Sequence, residues 1–325
     1  MSIKQNFIKF TPILKEKIWG GQKLISFLKK NSKGSSIGES WEISDIEGAT
    51  SIVANGELKD TSLKELINIY KEDLVGGKVY KRFKEKFPLL IKYIDAKEAL
   101  SVQLHPHDDL ARKRHNSFGK TEMWYVMHAE DKANLIVGFK NDSNKKEYLE
   151  HLQNKSLLEI LNVECVAEGD TYFIPTGRIH AIGAGVMLAE IQQTSDITYR
   201  IYDWDRQDNE GKYRELHTDQ ALEAIDYIAH EKYSTDYQKI VNQSSKMVSC
   251  PYFTTNFLPI RGELTITNNR DSFTIFMCVK GQVAFSAENQ SEKLKYGETL
   301  LVPANVSQFT ISSDGLSELL EIYIL

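Results

Sequence analysis

Apolar positions along this chain recur at two spacings, and the spacing changes from segment to segment. Strand-like runs, β-branched and aromatic, occur at Glu39–Ser44, Phe87–Ile94, Glu122–Met127, Ala133–Gly138, Thr171–Ile174, Met187–Gln192 and Thr198–Tyr202. Residues 7 to 19 read as strand and loop, closed by a Trp19-Gly20-Gly21 turn, and Gln22 to Lys30 as a short helix before the flexible Asn31–Ser36 loop. Helical spacing appears over Ser62–Lys86, where Leu63, Leu66, Ile67 and Tyr70 recur, with Thr61 or Ser62 as the cap and Glu65 three residues on. It returns over Ser143–Leu161, with Leu149, Leu152, Leu157 and Ile160 inward, and over Glu215–Glu231, with Ala221, Leu222 and Ile225 on one face. From about Ser249 the pattern is wholly β.

That last region repeats an earlier one. Gly297-Glu298-Thr299 through Pro303 to Gln308 aligns with Gly169-Asp170-Thr171 through Pro175 to His180. In the second copy Gln308 stands in the place of His180 and Asn305 in that of Gly177, and no histidine follows His230. The later copy therefore reads as the same fold without a metal site, left with structural or dimer-forming duties.

Composition narrows the function classes. With 325 residues there is material for one large or two moderate domains, and 41% hydrophobic with 26% charged residues describes an ordinary globular protein. A net charge of −5 argues against nucleic-acid or anionic-membrane partners. Cys165, Cys250 and Cys278 are scattered, with no CxxC spacing, so neither a disulfide framework nor a cysteine zinc site is expected. No run approaches a membrane span and no apolar leader opens the chain, which points to the cytoplasm.

The candidate chemistry lies between residues 101 and 206. In a strand, Gln103, His105 and His107 leave the same face. Glu122 and His180 would add a carboxylate and an imidazole, giving an N/O donor set suited to Zn²⁺ or a similar divalent ion. Gly169, Pro175, Gly177 and His180 resemble the second metal-binding motif of the cupin superfamily, G-x5-P-x-G-x2-H. Gln103-x-His105 with Glu122 is similar to the first motif as modified in the zinc-dependent mannose-6-phosphate isomerases, in their short bacterial form. The likeness continues at Glu190–Asp196 through Arg200, and at Trp19-Gly20-Gly21 with Gly38-Glu39-Ser40-Trp41-Glu42.

The resemblance implies a mainly β fold: two cupin-type double-stranded β-helix barrels with helical insertions near 57–87, 143–162 and 215–232. The catalytic barrel would span 1–240 and the degenerate one 241–325. It implies a single Zn²⁺ held by Gln103, His105, Glu122 and His180, although the His-x-His of generic cupins would select His105 and His107. It makes Arg200 the catalytic arginine and places Lys92, Glu39 and Trp41 near the substrate, a sugar phosphate. Lys92 and Lys120 are the candidate cations for substrate oxygens, and Glu190 and Asp196 the candidate proton carriers, with no choice between them. Without the resemblance, Arg200 is a surface strand charge, Lys92 an edge gatekeeper, and Glu39–Ser44 an edge strand with charges facing water. His115 and His128 read as ordinary histidines. A non-catalytic sugar- or metal-binding cupin, an isomerase for another sugar phosphate and an iron dioxygenase stand as alternatives.

Overall fold

The computed structural model describes residues 3–4, 6–207, 210–288 and 290–325. The fold is mainly β: antiparallel sheets of six, five and seven strands, plus a short two-stranded hairpin. In the six-stranded sheet the order is Ile13–Gly21, Ile37–Ile43, Leu89–Ala96, Val186–Gln193, Glu122–Ala129 and Thr171–Ile174. In the five-stranded sheet it is Tyr199–Tyr202, Val102–Leu104, His180–Ile182, Asn134–Phe139 and Leu161–Cys165.

Alternation decides which side chains go where. On the three central strands of the larger sheet, Ile94, Leu188, Trp124 and Val126 meet Leu135, Val137 and Ile182 of the smaller one in an inner core. Their neighbours Ile91, Tyr93, Ala189, Ile191, Met123 and Tyr125 face outward, onto the 63–83 helices and the C-terminal sheet. Both faces are buried, so these strands read as almost continuous apolar runs. The outer face of the smaller sheet is covered by Tyr148 and Ala221 of the later helices. Glu39 to Ile43 forms an interior strand between its two neighbours, not an edge, and so does the strand carrying Lys92.

Four helical expectations come out shorter. The Ser62–Lys86 helix divides into Leu63–Tyr70, Glu72–Val75 and Gly77–Phe83. Ser62 and Glu65 do form a capping box, but Lys71 and Gly76 take positive φ of 47° and 93°. A Cβ on Gly76 would lie 2.3 Å from the Asp271 carbonyl oxygen, and the Asp271 carboxylate caps the next helix through the amides of Gly77 and Lys78. The Glu215–Glu231 helix is confined to Thr218–Ala224. Past it the Asp226 amide donates to the Gly177 carbonyl at 2.9 Å, and the chain runs on without helix. The Ser143–Leu161 helix resolves into Lys145–Gln153 and a 3-10 turn at Leu157–Glu159. Gln22–Lys30 keeps a single turn, Lys23–Ser26, and Trp19-Gly20-Gly21 continues the first strand.

The repeat survives in the backbone. Thr171–Ile174 and Thr299–Val302 are both strands, preceded by Gly169 (φ 93°) and Gly297 (φ 77°). Gln308 is exposed. The interior of the C-terminal unit is filled by Phe276, Phe285 and Phe309, with Phe7 inserted among them from the start of the chain. Ile8 pairs with Leu301 in both directions, at 2.9 and 2.8 Å.

Phe7→Ala should therefore destabilise the C-terminal unit by about 3–5 kcal/mol, the usual cost of removing a buried phenyl ring. The urea midpoint followed by near-ultraviolet dichroism reads the loss, and an unchanged midpoint would mean that Phe7 is no part of that core.

Candidate active site

One cross-strand row on each sheet builds the site. On the larger sheet Trp41, Lys92, Glu190 and Trp124 are direct partners on four adjacent strands. Gln192 and Glu122 pair two residues further along, on the same face. On the smaller sheet Arg200, Gln103, His180 and Val137 are partners across four strands. Because both rows point inward, side chains from eight strands meet between the sheets.

The ligand strand ends at Leu104, so His105 lies just beyond it. Gly177 fixes His105: its amide donates to the His105 carbonyl at 2.9 Å. Its φ is 84°, and a Cβ there would sit 2.5 Å from the Ala224 carbonyl oxygen. A side chain at 177 is excluded on both counts. His107 turns away, exposed, and its Nδ1 accepts from the Leu110 amide as cap of the Asp108–His115 helix. His115 bonds Tyr199 Oη, and His128 lies edge-on to Phe27.

His105, Glu122 and His180 are buried, with potential donor atoms all within 4.8 Å of one another. His105 Nδ1 lies 2.9 Å from the Ile197 carbonyl and His180 Nδ1 2.9 Å from the Arg178 carbonyl. A carbonyl only accepts, so each Nδ1 carries its proton and each neutral ring keeps its lone pair at Nε2. Burial, reinforced by the Lys120 ammonium, pushes His105 down to about 3. Burial likewise lowers His180. Burial alone would raise Glu122, but Lys120 and the two imidazoles overcome it and hold the carboxyl well below its usual range. Around Glu122 stand Lys120 Nζ at 2.9 Å, His105 Nε2 at 3.4 Å and His180 Nε2 at 3.6 Å. Neither carboxylate oxygen accepts a well-directed hydrogen bond from the described residues. Two imidazole lone pairs and an under-satisfied carboxylate fit a divalent cation with borderline N/O preference. Gln103 Nε2 lies 3.5 Å from His180 Nε2, and Ser101 Oγ donates to Gln103 Oε1 at 3.2 Å.

Above this cluster opens a cavity of about 320 Å³. Its walls include Gln103, His180, Lys92, Lys120, Glu190, Asp196, Arg200, Glu39 and Trp41. Lys92 Nζ is 3.0 Å from Glu190 Oε1 and 5.3 Å from the Trp41 ring centre. Burial would lower Lys92, but Glu190 and Glu39 raise it above its usual value. Glu39 accepts from Trp41 Nε1 at 2.6 Å and pairs with Lys17 at 3.3 Å. Asp196 is exposed at the rim. Arg200 donates to Ser101 Oγ at 3.3 Å and to the Glu215 carbonyl at 2.8 Å.

Sequence reasoning missed Trp124, which donates to Glu190 at 3.0 Å, and Ser101. Both were findable by alternation, lying two residues from Glu122 and Gln103. Lys17 and Arg214 also line the cavity and were missed. So was Asp108, which accepts from the Gly119 amide, Gln193 Nε2 and Tyr252 Oη at 2.8, 3.0 and 2.9 Å. No local pattern marks Asp108, because its partners come from three remote segments.

Comparison with known proteins finds a consistent set of relatives. The family model for the catalytic domain of type I phosphomannose isomerase matches residues 7–134, and that for the cupin domain of mannose-6-phosphate isomerase matches 243–322. Mannose-6-phosphate isomerase ManA of Bacillus subtilis is 32% identical, over 95% of this chain and 96% of its own. The mannose-6-phosphate isomerase of Streptococcus mutans is 31% identical, over 92% and 93%. A crystal structure of the mannose 6-phosphate isomerase from Bacillus subtilis matches with a TM-score of 0.89 at 32% identity, covering 98% of this chain and all of that one. A putative mannosephosphate isomerase from Archaeoglobus fulgidus shares the fold, with a TM-score of 0.79 at 23% identity over 99% of both chains.

Asp108 ties the His105 turn to the Lys120 and Gln193 segments and to Tyr252 of the C-terminal unit. Asp108→Ala should cost about 2–4 kcal/mol, since several donors lose a charged acceptor, and Tyr252→Phe only about 1. Urea unfolding of both variants checks the ranking, which equal losses would contradict.

Proposed function

Because this chain belongs to the type I phosphomannose isomerase family, we propose how its cavity interconverts mannose 6-phosphate and fructose 6-phosphate. The observation that carries the mechanism is the meeting of two Nε2 lone pairs and the Glu122 carboxylate at the floor of a cavity lined by cations. His105, Glu122 and His180 would hold one Zn²⁺ per chain. Gln103 would join them once its amide turns over, which exchanges Oε1 and Nε2 in place. When bound, the ion acts as a Lewis acid that lowers the barrier by stabilising negative charge on the substrate's carbonyl oxygen.

The reaction moves a proton between C1 and C2, and another between O1 and O2. Glu190 is the proposed base for the carbon-bound proton. Its carboxylate is buried and faces the cavity, aimed by Lys92 and Trp124 at 3.0 Å each. Asp196, exposed at the rim of the same cavity, is the proposed carrier for the hydroxyl proton. Lys92 and Lys120 hold substrate oxygens, while Trp41 and Glu39 wall the cavity and keep Lys92 in place. Arg200 presents a permanently charged, planar donor to developing negative charge.

The same reading takes 1–240 as the catalytic unit and 241–325 as a second cupin unit without metal, with a surface available for a homodimer. The absence of histidine after His230 and the phenylalanine-filled interior support it. We place the enzyme in the cytoplasm, without nucleic-acid or membrane partners. The net charge of −5 and three unpaired cysteines support that placement.

Chelation should abolish turnover of mannose 6-phosphate, and Zn²⁺ should restore it, with one equivalent by elemental analysis. Glu122→Gln and His180→Ala should lose both metal and activity. Arg200→Ala should retain the metal and lose about 10²-fold or more in kcat, the scale of one oxyanion donor. An Arg200→Ala enzyme with full kcat would remove that residue from the mechanism.

A further inference from the structure

Trp124 belongs neither to the cation site nor to the charged groups on the cavity wall, yet it touches both. It lies two residues from Glu122 on an interior strand, paired with Glu190 on one side and Tyr172 on the other. Its carbonyl accepts from Thr171 Oγ1 at 2.7 Å. The residue is 1% exposed, and its ring packs in the inner core with Val137 and Ile182 of the facing sheet. A tryptophan side chain turns about only two torsions. With the ring enclosed, the direction of its N–H is set by the fold.

Two functional groups meet that ring. The His180 imidazole stands at 80° to it, ring centres 5.3 Å apart. The indole Nε1 donates to Glu190 Oε2 at 3.0 Å. The two oxygens of Glu190 are therefore not equivalent. Oε1 is sealed from solvent, 3.0 Å from Lys92 Nζ but outside a well-directed hydrogen bond. Oε2 is the oxygen left to meet a substrate, and the indole takes one of its two lone pairs. A lysine ammonium is a point charge on a flexible stem, which attracts the carboxylate without fixing its plane. An N–H on an enclosed ring fixes it.

We propose that Trp124 is a positioning residue for the proton transfer: its N–H holds Glu190 Oε2 so that the remaining lone pair faces the substrate carbon. The same ring, packed on His180, sets how far that oxygen stands from the cation site. The inference rests on the reading of Glu190 as the base and deepens it. In the step, the C2–H bond of mannose 6-phosphate breaks and its proton bonds to Oε2. The electron pair enters the C1–C2 bond, and the carbonyl oxygen takes the negative charge. The proton then returns from Oε2 to C1 while the hydroxyl proton passes from O2 to O1, so atoms and charge balance without a co-reactant. Such a transfer depends steeply on where the accepting oxygen is held.

The test compares zinc-loaded wild type, Trp124→Phe and Glu190→Gln, using mannose 6-phosphate with hydrogen or deuterium at C2. Zinc content, kcat, KM and the primary isotope effect on kcat are measured. Trp124→Phe keeps an aromatic ring beside His180 and removes the N–H. It should bind zinc as wild type does, keep KM within about threefold and lose about 10- to 100-fold in kcat, the range of a hydrogen bond to a charged acceptor. Its isotope effect should equal or exceed that of wild type, because transfer of the C2 proton is the step that slows. Full kcat in Trp124→Phe would overturn the proposal, and so would a lower kcat whose isotope effect falls toward unity. Loss of zinc along with kcat would overturn it as well, leaving Trp124 as packing for the cation site. Should Trp124→Phe fail to fold, the benzothiophene analogue of tryptophan, placed at 124 alone, is read by the same criteria; it keeps the ring shape and puts sulfur in place of N–H. Glu190→Gln with wild-type turnover would remove the base and the proposal with it. Wild type that turns over no mannose 6-phosphate would sink the isomerase reading itself, a failure distinct from all the others.

Discussion

Withdrawing the Glu122 carboxylate from water is the energetic problem around which the catalytic half is arranged. It is fully buried, and neither oxygen accepts a well-directed hydrogen bond from the described residues. A carboxylate so placed would ordinarily give up its charge, because desolvation penalises the ionised form. Here positive charge and polar nitrogen close in on it instead: Lys120 from two residues earlier, and two imidazoles from separate segments. The outcome is a carboxyl held well below its normal range next to two histidines whose protonation burial disfavours. That combination keeps a donor set ready for a cation at neutral pH, at the expense of stability in its absence.

The backbone directs this chemistry more than the side chains do. Carbonyls of Ile197 and Arg178 choose which imidazole nitrogen carries the proton, and so turn both Nε2 atoms toward Glu122. Gly177 contributes an amide to the His105 carbonyl and a conformation that no side chain would tolerate. Its own carbonyl takes the Asp226 amide and stops the helix covering the sheet. The glycines and proline ahead of His180 are thus less a metal motif than a way of steering two distant turns into register.

Much of this could be read from residue order, and the failures have a common cause. The resemblance placed Lys92, Glu190 and Glu122 at the site, and all three are turned inward; alternation from Glu122 and Gln103 would have added Trp124 and Ser101. Extending the ligand strand through His107 misled, since pairing stops at Leu104 and the next residues cap a helix. The Ser62–Lys86 periodicity is real. Its break at Gly76 answers to Asp271, whose carboxylate takes the Gly77 amide from 194 positions further on, which no local window contains. Asp108 was invisible for the same reason, because what gives it meaning arrives from elsewhere in the chain.

The two halves show how little of the chemistry belongs to the frame. Each has a glycine at positive φ, an acidic residue, a threonine-led strand and a proline. In one, the inward positions carry Lys92, Glu190, Trp124 and Glu122, and polar atoms line a cavity. In the other, Phe276, Phe285 and Phe309 pack against each other and against Phe7, and the space closes. The same backbone holds an ionic interior or an apolar one, because its hydrogen-bond ladders are complete either way. What the ionic version costs in desolvation, the apolar version and the shared core beneath Tyr93 and Phe257 offset. A catalytic half this rich in buried charge gains from being braced by a second copy whose one buried carboxylate among the described residues, Glu321, is paired with Arg270.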